Sequence, residues 1–314
     1  MKVVGYSFDV RHMQTHDGPG IRTTVFMKGC PLRCAWCHNL ESFSMAQEVW
    51  WQADRCIGCG KCVEACPEGA IRTDEGIQID RNKCTGCAAC ADVCPSKAMQ
   101  ALRIDWSVDA LFNVINRDRP FLMKGGGVTV SGGEPALQSP FVSELLARCQ
   151  KEGLHTALDT CGAVPPDAFT PLLSHCDLIL FDLKIMDPSD HKKWTGQENF
   201  QLLENLRTIA DRIQSGSKLK LWIRTPLIPG ATANAENIEA IGTFIRENLS
   251  GAVDRWELCA FNNLCAEKHH RLGGRWSMEE IPLLTRAEGA ALLNVARSGS
   301  GLAIDSIFLK GRMT

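Results

Sequence analysis

Residues 21–39 read IRTTVFMKGCPLRCAWCHN. An apolar, β-branched run at 21–27 passes through a glycine into three cysteines spaced CxxxCxxC, Cys30, Cys34 and Cys37. The run has the composition of a strand buried on both faces, as in a parallel sheet. The cysteines then fall at its carboxyl end, where parallel α/β folds carry their chemistry. Five similar runs follow, at 127–130, 155–159, 178–183, 219–227 and 253–261. Amphipathic stretches lie between them. Val108, Leu111, Phe112 and Ile115 make one face behind a Ser107 cap; Phe141, Val142, Leu145, Leu146 and Cys149 make another, opened by Ser139 and Pro140 and closed by Gly153. Ile238, Ile241 and Ile245 stripe a third, and Thr285 with Glu288 forms a capping box for a last helix. Six β/α units in succession predict an α/β fold, a partial parallel (β/α)6 barrel in preference to an open doubly wound sheet.

The remaining cysteines sharpen the reading. Of the 16 in the chain, Cys56, Cys59, Cys62 and Cys66, followed by Pro67, form CxxCxxCxxxCP, and the run recurs 28 residues on at Cys84, Cys87, Cys90 and Cys94, followed by Pro95. This is the bacterial two-cluster ferredoxin pattern, in which the fourth cysteine of each run ligates the other cluster. The predicted sets are Cys56, Cys59, Cys62 and Cys94 for one 4Fe-4S cluster, and Cys84, Cys87, Cys90 and Cys66 for the second. Structural zinc also uses CxxC units, but it closes a tetrahedral site from two separated pairs, which triplets with a closing Cys-Pro do not resemble. The lone triplet has no fourth cysteine nearby and leaves one iron of a cluster open to a small bidentate ligand. Electron wires feeding a cluster that does chemistry are the implied arrangement.

Composition bounds the rest. A chain of 314 residues suffices for one large core and a small module. Residues 54–100 hold both ferredoxin runs, with short β-like stretches at 71–73 and 78–80, and are too few to bury a core of their own, so clusters would serve as that core. The segment reads as an insertion, with 1–53 and 101–314 forming the two parts of the main domain. A formal net charge of -2 offers no basic field for nucleic acid. No apolar run approaches a membrane span and the first residues lack the apolar core of a signal peptide, so a cytoplasmic, oxygen-sensitive metal binder is expected.

CPLRCAWCHN at 30–39, with Trp36 just before the third cysteine, resembles the signature of radical S-adenosylmethionine (SAM) enzymes, and Ser131-Gly132-Gly133-Glu134 resembles their GGE motif. More narrowly, DGPGIR at 17–22 and FDLK at 181–184 resemble the activating enzymes of glycyl radical enzymes, and the ferredoxin pair resembles the longer members of that family. The resemblance implies three 4Fe-4S clusters, that at Cys30, Cys34 and Cys37 binding SAM. It implies SAM contacts from Trp36, Gly132, Gly133, Glu134 and Asn262, a monovalent-cation site at Asp159, Thr160 and Asp182, and steering of SAM by the charges of Lys184 and Arg224. The implied reaction reductively cleaves SAM to a 5'-deoxyadenosyl radical that takes hydrogen from a glycine of a partner glycyl radical enzyme. A flavodoxin or ferredoxin would donate the electron, and the chain would act as a monomer, with no nucleic acid or membrane partner.

Asn262 departs from the family pattern, since short activases carry a histidine in this segment; a role needing an imidazole is not carried over. His38 reads as a hydrogen-bond donor beside the cluster loop, and the other histidines show no mutual ligand spacing. Cys149, Cys176, Cys259 and Cys265 read as buried fillers, and Cys161 chiefly as packing beside the cation site. Two other functions compete: a radical SAM enzyme acting on a small molecule or peptide, and a multi-cluster electron carrier.

Overall fold

The computed structural model describes residues 3–74 and 76–314. Its strands are β1 (Val4–Gln14), β2 (Arg22–Met27), β3 (Val49–Trp51), β4 (Ile71–Arg72), β5 (Gln78–Ile79), β6 (Met99–Ala101), β7 (Ile104–Ser107), β8 (Gly127–Gly132), β9 (Thr156–Thr160), β10 (Leu178–Asp182), β11 (Lys220–Leu227), β12 (Arg255–Ala260) and β13 (Ile307–Lys310). Nine of them form one sheet in the order β13-β12-β11-β10-β9-β8-β2-β1-β7. From β2 through β13 every neighbouring pair is parallel. The six runs read from the sequence are β2 and β8 to β12. β13 adds a further parallel strand, while β1 and β7 extend the other edge antiparallel.

Alternation along the strands sorts residues between two faces. Val128, Val130, Leu158, Ile179, Phe181, Leu221, Ile223, Trp256 and Leu258 pack in the main core with Leu111, Ile115, Leu145, Leu206, Ile241 and Ile245 from the helices. Those helices are Val108–Asn116, Ser139–Lys151, Phe200–Gln214 and Ala235–Asn248. Ser107 caps the first, its side chain accepting from the Ala110 amide, and Thr285 and Glu288 make the expected reciprocal box at Arg286–Gly299. On the opposite face Ala157, Leu178, Leu180 and Trp222 form a small apolar layer. Two residues further along three of these strands stand Asp159, Asp182 and Arg224, so the pleat that buries an apolar layer also stacks a charged one beyond it.

Between β3 and β6 the chain is built differently. β3 and β6 pair antiparallel, Val49 with Ala101 and Trp51 with Met99, so the segment leaves and returns at one place. Inside it lie the β4–β5 pair and two four-residue helices, Lys61–Glu64 and Ala89–Asp92. Among its described residues, Val49, Cys62, Ile71, Cys90 and Met99 form a small buried apolar cluster. Among the described residues no helix is long and apolar enough to cross a membrane.

Candidate active site

A cavity of about 370 Å³ opens at the carboxyl ends of the parallel strands. Cys30, Cys34, Cys37, Trp36, Gly132, Gly133, Asp159, Thr160, Asp182, Lys184, Arg224 and Asn262 all line it. Twelve of the thirteen residues predicted for this site, drawn from six strand ends, therefore meet in one space; Glu134 does not.

The cysteine loop follows β2 and is pinned on several sides. The Arg33 and Ala35 amides donate to the carbonyls of Thr195 (2.6 Å) and Trp194 (3.0 Å), and Asn39 Nδ2 donates to the Gly132 carbonyl (3.2 Å). The Trp276 indole donates to the Ala35 carbonyl (2.7 Å), and Lys268 reaches both the His38 carbonyl (3.0 Å) and the buried Glu41 (2.7 Å). His38 Nε2 lies 3.1 Å from the Asn262 carbonyl, bridging the loop to the end of β12. Gly132 and Gly133 lie against this loop: a Cβ at Gly132 would stand 2.2 Å from the Met27 nitrogen, and one at Gly133 2.0 Å from the Gly29 carbonyl oxygen. Glycine at both positions is thus required by the approach of one backbone to another, and it also leaves their main chain open to the cavity.

The Glu134 carboxylate braces the site from within the protein. It is fully buried and accepts from the Thr160 hydroxyl (2.7 and 2.8 Å to its two oxygens) and from the amides of Cys161 (2.8 Å), Gly162 (3.2 Å) and Ala136 (3.0 Å). Thr160 belongs to the same network, its hydroxyl donating to Glu134 and accepting from the Gly162 amide (2.9 Å).

Charge is concentrated on the floor. Lys184 is buried and ion-paired to Asp182; burial opposes its charge, but Asp182 and the neighbouring Cys34 and Cys161 outweigh burial and hold its pKa above the ordinary value. Arg224 sits between Asp159 (3.6 Å) and Glu257 (3.3 Å), and Glu257 is also paired to Arg255 (2.7 Å) and to Lys310 of β13 (2.6 Å). Burial pushes Asp159 up to about 7, opposed by Arg224 and assisted by the nearby Asp182 and Asp17, while Ser131 donates to it at 2.7 Å. Burial also lifts the Cys34 thiol to about 12 and Cys37 further, whereas the Cys161 thiol, hydrogen-bonded to Cys30, lowers Cys30. Metal loading must therefore expel protons from Cys34 and Cys37.

Two cysteines were underestimated in the sequence. Cys259 lines the cavity instead of filling the core, and Cys161 lines it with its thiol on Cys30. Counting alternate residues from Arg224 and Glu257, both inward, would have found Cys259. Cys149 and Cys176 are buried in the main core as expected, while Cys265 packs beside the loop, its thiol 3.7 Å from the Cys37 carbonyl.

The module between β3 and β6 holds two further cavities. One, of about 230 Å³, is lined by Cys56, Cys59, Cys62 and Cys94; the other, tighter at about 20 Å³, by Cys84, Cys87, Cys90 and Cys66. In each, three thiolates of one run meet the fourth of the other run, the donor chemistry of an iron-sulfur cluster.

The chain matches the Radical SAM superfamily over residues 81–240, a 4Fe-4S dicluster domain over 55–98 and a 4Fe-4S single cluster domain over 16–60, which takes in the loop of Cys30, Cys34 and Cys37. It is 38% identical to the (2S)-3-sulfopropanediol dehydratase activating enzyme of Klebsiella oxytoca, over 90% of each chain. It is also 38% identical to the isethionate sulfite-lyase activating enzyme of Oleidesulfovibrio alaskensis, over 90% of this chain and 91% of that one. This chain belongs to the radical SAM family of glycyl radical enzyme activating enzymes. The crystal structure of Streptococcus suis SuiB bound to its precursor peptide SuiA shares the fold, with a TM-score of 0.53 and 12% identity over 90% of this chain and 46% of that one.

Proposed function

We propose that the chain reductively cleaves SAM and uses the resulting 5'-deoxyadenosyl radical to take a hydrogen atom from a glycine of a partner glycyl radical enzyme. One electron and SAM give methionine and the radical; the radical and the glycine give 5'-deoxyadenosine and a glycyl radical. The observation that carries this reading is the convergence of the three-cysteine loop, the Gly132–Gly133 backbone and the charged floor on one cavity at the strand ends.

Cys30, Cys34 and Cys37 would hold a 4Fe-4S cluster, which when bound supplies the electron and an open iron for the amino and carboxylate groups of SAM. The chain's own groups do the positioning. Gly132 and Gly133 offer main-chain polar groups to the ammonium, and Lys184 and Arg224 set positive charge against the carboxylate. The charge of Asp182 raises the cost of ionising Asp159, and the two would share a monovalent cation that relieves that cost. Asn262 offers a donor and an acceptor to the adenosine end, beside an apolar wall of Ile228 and Phe261 that excludes water.

The architecture we infer is a partial parallel (β/α)6 barrel made by 1–53 and 101–314, with residues 54–100 inserted as a ferredoxin-like domain holding two more clusters. The β3–β6 pair at its base supports that division. A monomer receiving electrons from a flavodoxin or ferredoxin in the cytoplasm completes the proposal. Related activases of 36–38% identity serve a sulfopropanediol dehydratase, an isethionate lyase and an indoleacetate decarboxylase, so what they share is the activation, not the partner's chemistry. Anaerobic reconstitution with iron, sulfide, dithionite and SAM should load about twelve irons per chain and release 5'-deoxyadenosine, and a cognate partner should gain a glycyl radical by electron paramagnetic resonance (EPR). Iron-loaded protein that makes no 5'-deoxyadenosine would leave only the electron carrier.

A further inference from the structure

The two four-cysteine cavities are related by the 28-residue repeat, yet their linings differ where electrostatics matters. Cys94 enters the first cavity followed by Ser96, whose hydroxyl lies 3.7 Å from the Cys94 sulfur. At the matching place in the second cavity, after Cys66, stands Glu68. Trp51 lines the first cavity, and its indole nitrogen is fully buried without a hydrogen-bond partner among the described residues. A buried indole N–H normally finds an acceptor, and leaving one unpaired is costly. The residue 28 positions on is Ile79, and no tryptophan lines the second cavity.

We propose that Trp51 and Ser96 are positioning residues that donate hydrogen bonds to the sulfurs of the cluster held by Cys56, Cys59, Cys62 and Cys94, while Glu68 places a negative charge against the other cluster, making the first the more readily reduced of the two. Donors to cluster sulfur stabilise the added electron and raise the potential; a nearby carboxylate opposes it and lowers the potential. The inserted clusters are then unequal steps, and a single electron entering the module rests on the first. This inference rests on the cluster reading of the module given above.

The test is a redox titration of the reconstituted full chain followed by EPR, with the module signals assigned through Cys56→Ala and Cys84→Ala. The first cluster should reduce at the higher potential. Trp51→Phe keeps the ring and removes the N–H. It should lower that potential so that the reduced fraction relative to oxidised, at the original midpoint, falls roughly three- to tenfold, tenfold being 59 mV for one electron. It should also abolish one exchangeable-proton coupling to the reduced cluster in deuterium oxide. Glu68→Gln, at an exposed side chain, should raise the second potential and leave the first alone. Equal potentials in the parent chain, or the reverse order, would overturn the inference, as would a Trp51→Phe protein with full iron and neither potential nor coupling changed. If Trp51→Phe does not load, the parent order and Glu68→Gln decide. A chain that loads only about four irons, with no module signals, would overturn the cluster reading itself and the inference with it.

Discussion

The cavity at the strand ends and the two cavities of the module all gather cysteines, but they are built by opposite means. The first stands on buried parallel strands, with its three cysteines held by hydrogen bonds from five other segments and a charged floor beneath them. The other two stand on short loops and four-residue helices, where thiols themselves make up much of the core. A site that binds and cleaves a substrate needs geometry supplied by the scaffold before the ligand arrives. A site that only carries electrons can let the cluster organise the protein. Removing metal should therefore separate the two, with the module loosening and the sheet persisting.

The largest break in this comparison is Cys30→Ala, Cys34→Ala and Cys37→Ala together. About four irons and all SAM cleavage should be lost, while the module keeps its irons and the protein its cooperative unfolding. Iron analysis, 5'-deoxyadenosine release and thermal unfolding measure this, and cleavage persisting in the triple variant would remove the assignment of the cavity.

Next comes the module. Cys56→Ala with Cys84→Ala should slow activation strongly while leaving SAM affinity near that of the parent, because no described residue of the module lines the strand-end cavity. Hydrogen exchange should rise within 49–101 and little elsewhere. Cys66→Ala alone should damage the cluster of Cys84, Cys87 and Cys90 more than the one beside it in sequence, since Cys66 faces that set. EPR that shows damage confined to Cys56, Cys59 and Cys62 would mean each run closes on itself.

A smaller effect is expected of Glu134→Ala. It strands buried donors at the Cys161 and Ala136 amides and the Thr160 hydroxyl, each costing on the order of 1–3 kcal/mol when left unpaired. Both the melting temperature and SAM affinity should fall, because the loop after β9 loses its brace. Weakened binding with an unchanged melting temperature would instead make the carboxylate a direct SAM contact.

What the sequence disclosed follows the same division. β2 and β8 to β12 were legible because buried strands are rich in apolar and β-branched residues; all six residues of β2, RTTVFM, are buried. β1 was not, because its burial changes irregularly along an edge with polar residues outward, and β13 is four residues long. The helix Phe200–Gln214 carries a clear stripe, Leu202, Leu203, Leu206, Ile209 and Ala210, and was there to be read. In the site, motif and spacing located every strand end, but not the direction of a carboxylate. Nothing local in Gly133-Glu134-Pro135 says that two amides and a hydroxyl from the next strand end will surround Glu134. Cysteine spacing was legible throughout because ligand geometry is local in sequence, whereas Cys161 and Cys259 reach the cavity only through the register of the sheet.

The smallest expected effect lies within the module, between its two halves. Gly60 precedes the first short helix with φ of 72°, and at the matching position 28 residues on the chain has Ala88 with φ of 64°. A left-handed conformation costs a residue with a Cβ roughly 1–2 kcal/mol relative to glycine. Part of any gain from glycine is returned as greater freedom of the unfolded chain, about 0.4–1 kcal/mol. Ala88→Gly should thus stabilise the second half of the module by no more than about 1 kcal/mol. Gly60→Ala is the clean reverse, because a Cβ there would meet nothing within 4 Å and only the backbone term remains. Iron release under a chelator, followed separately for the two clusters, should slow in Ala88→Gly and quicken in Gly60→Ala. Each change should register first at the cluster whose three-cysteine run contains it, the set of Cys84, Cys87 and Cys90 for the former and of Cys56, Cys59 and Cys62 for the latter. The same direction in both variants would mean that the strain at Ala88 is repaid by contacts of its methyl group, and that the two halves are not interchangeable scaffolds for a cluster.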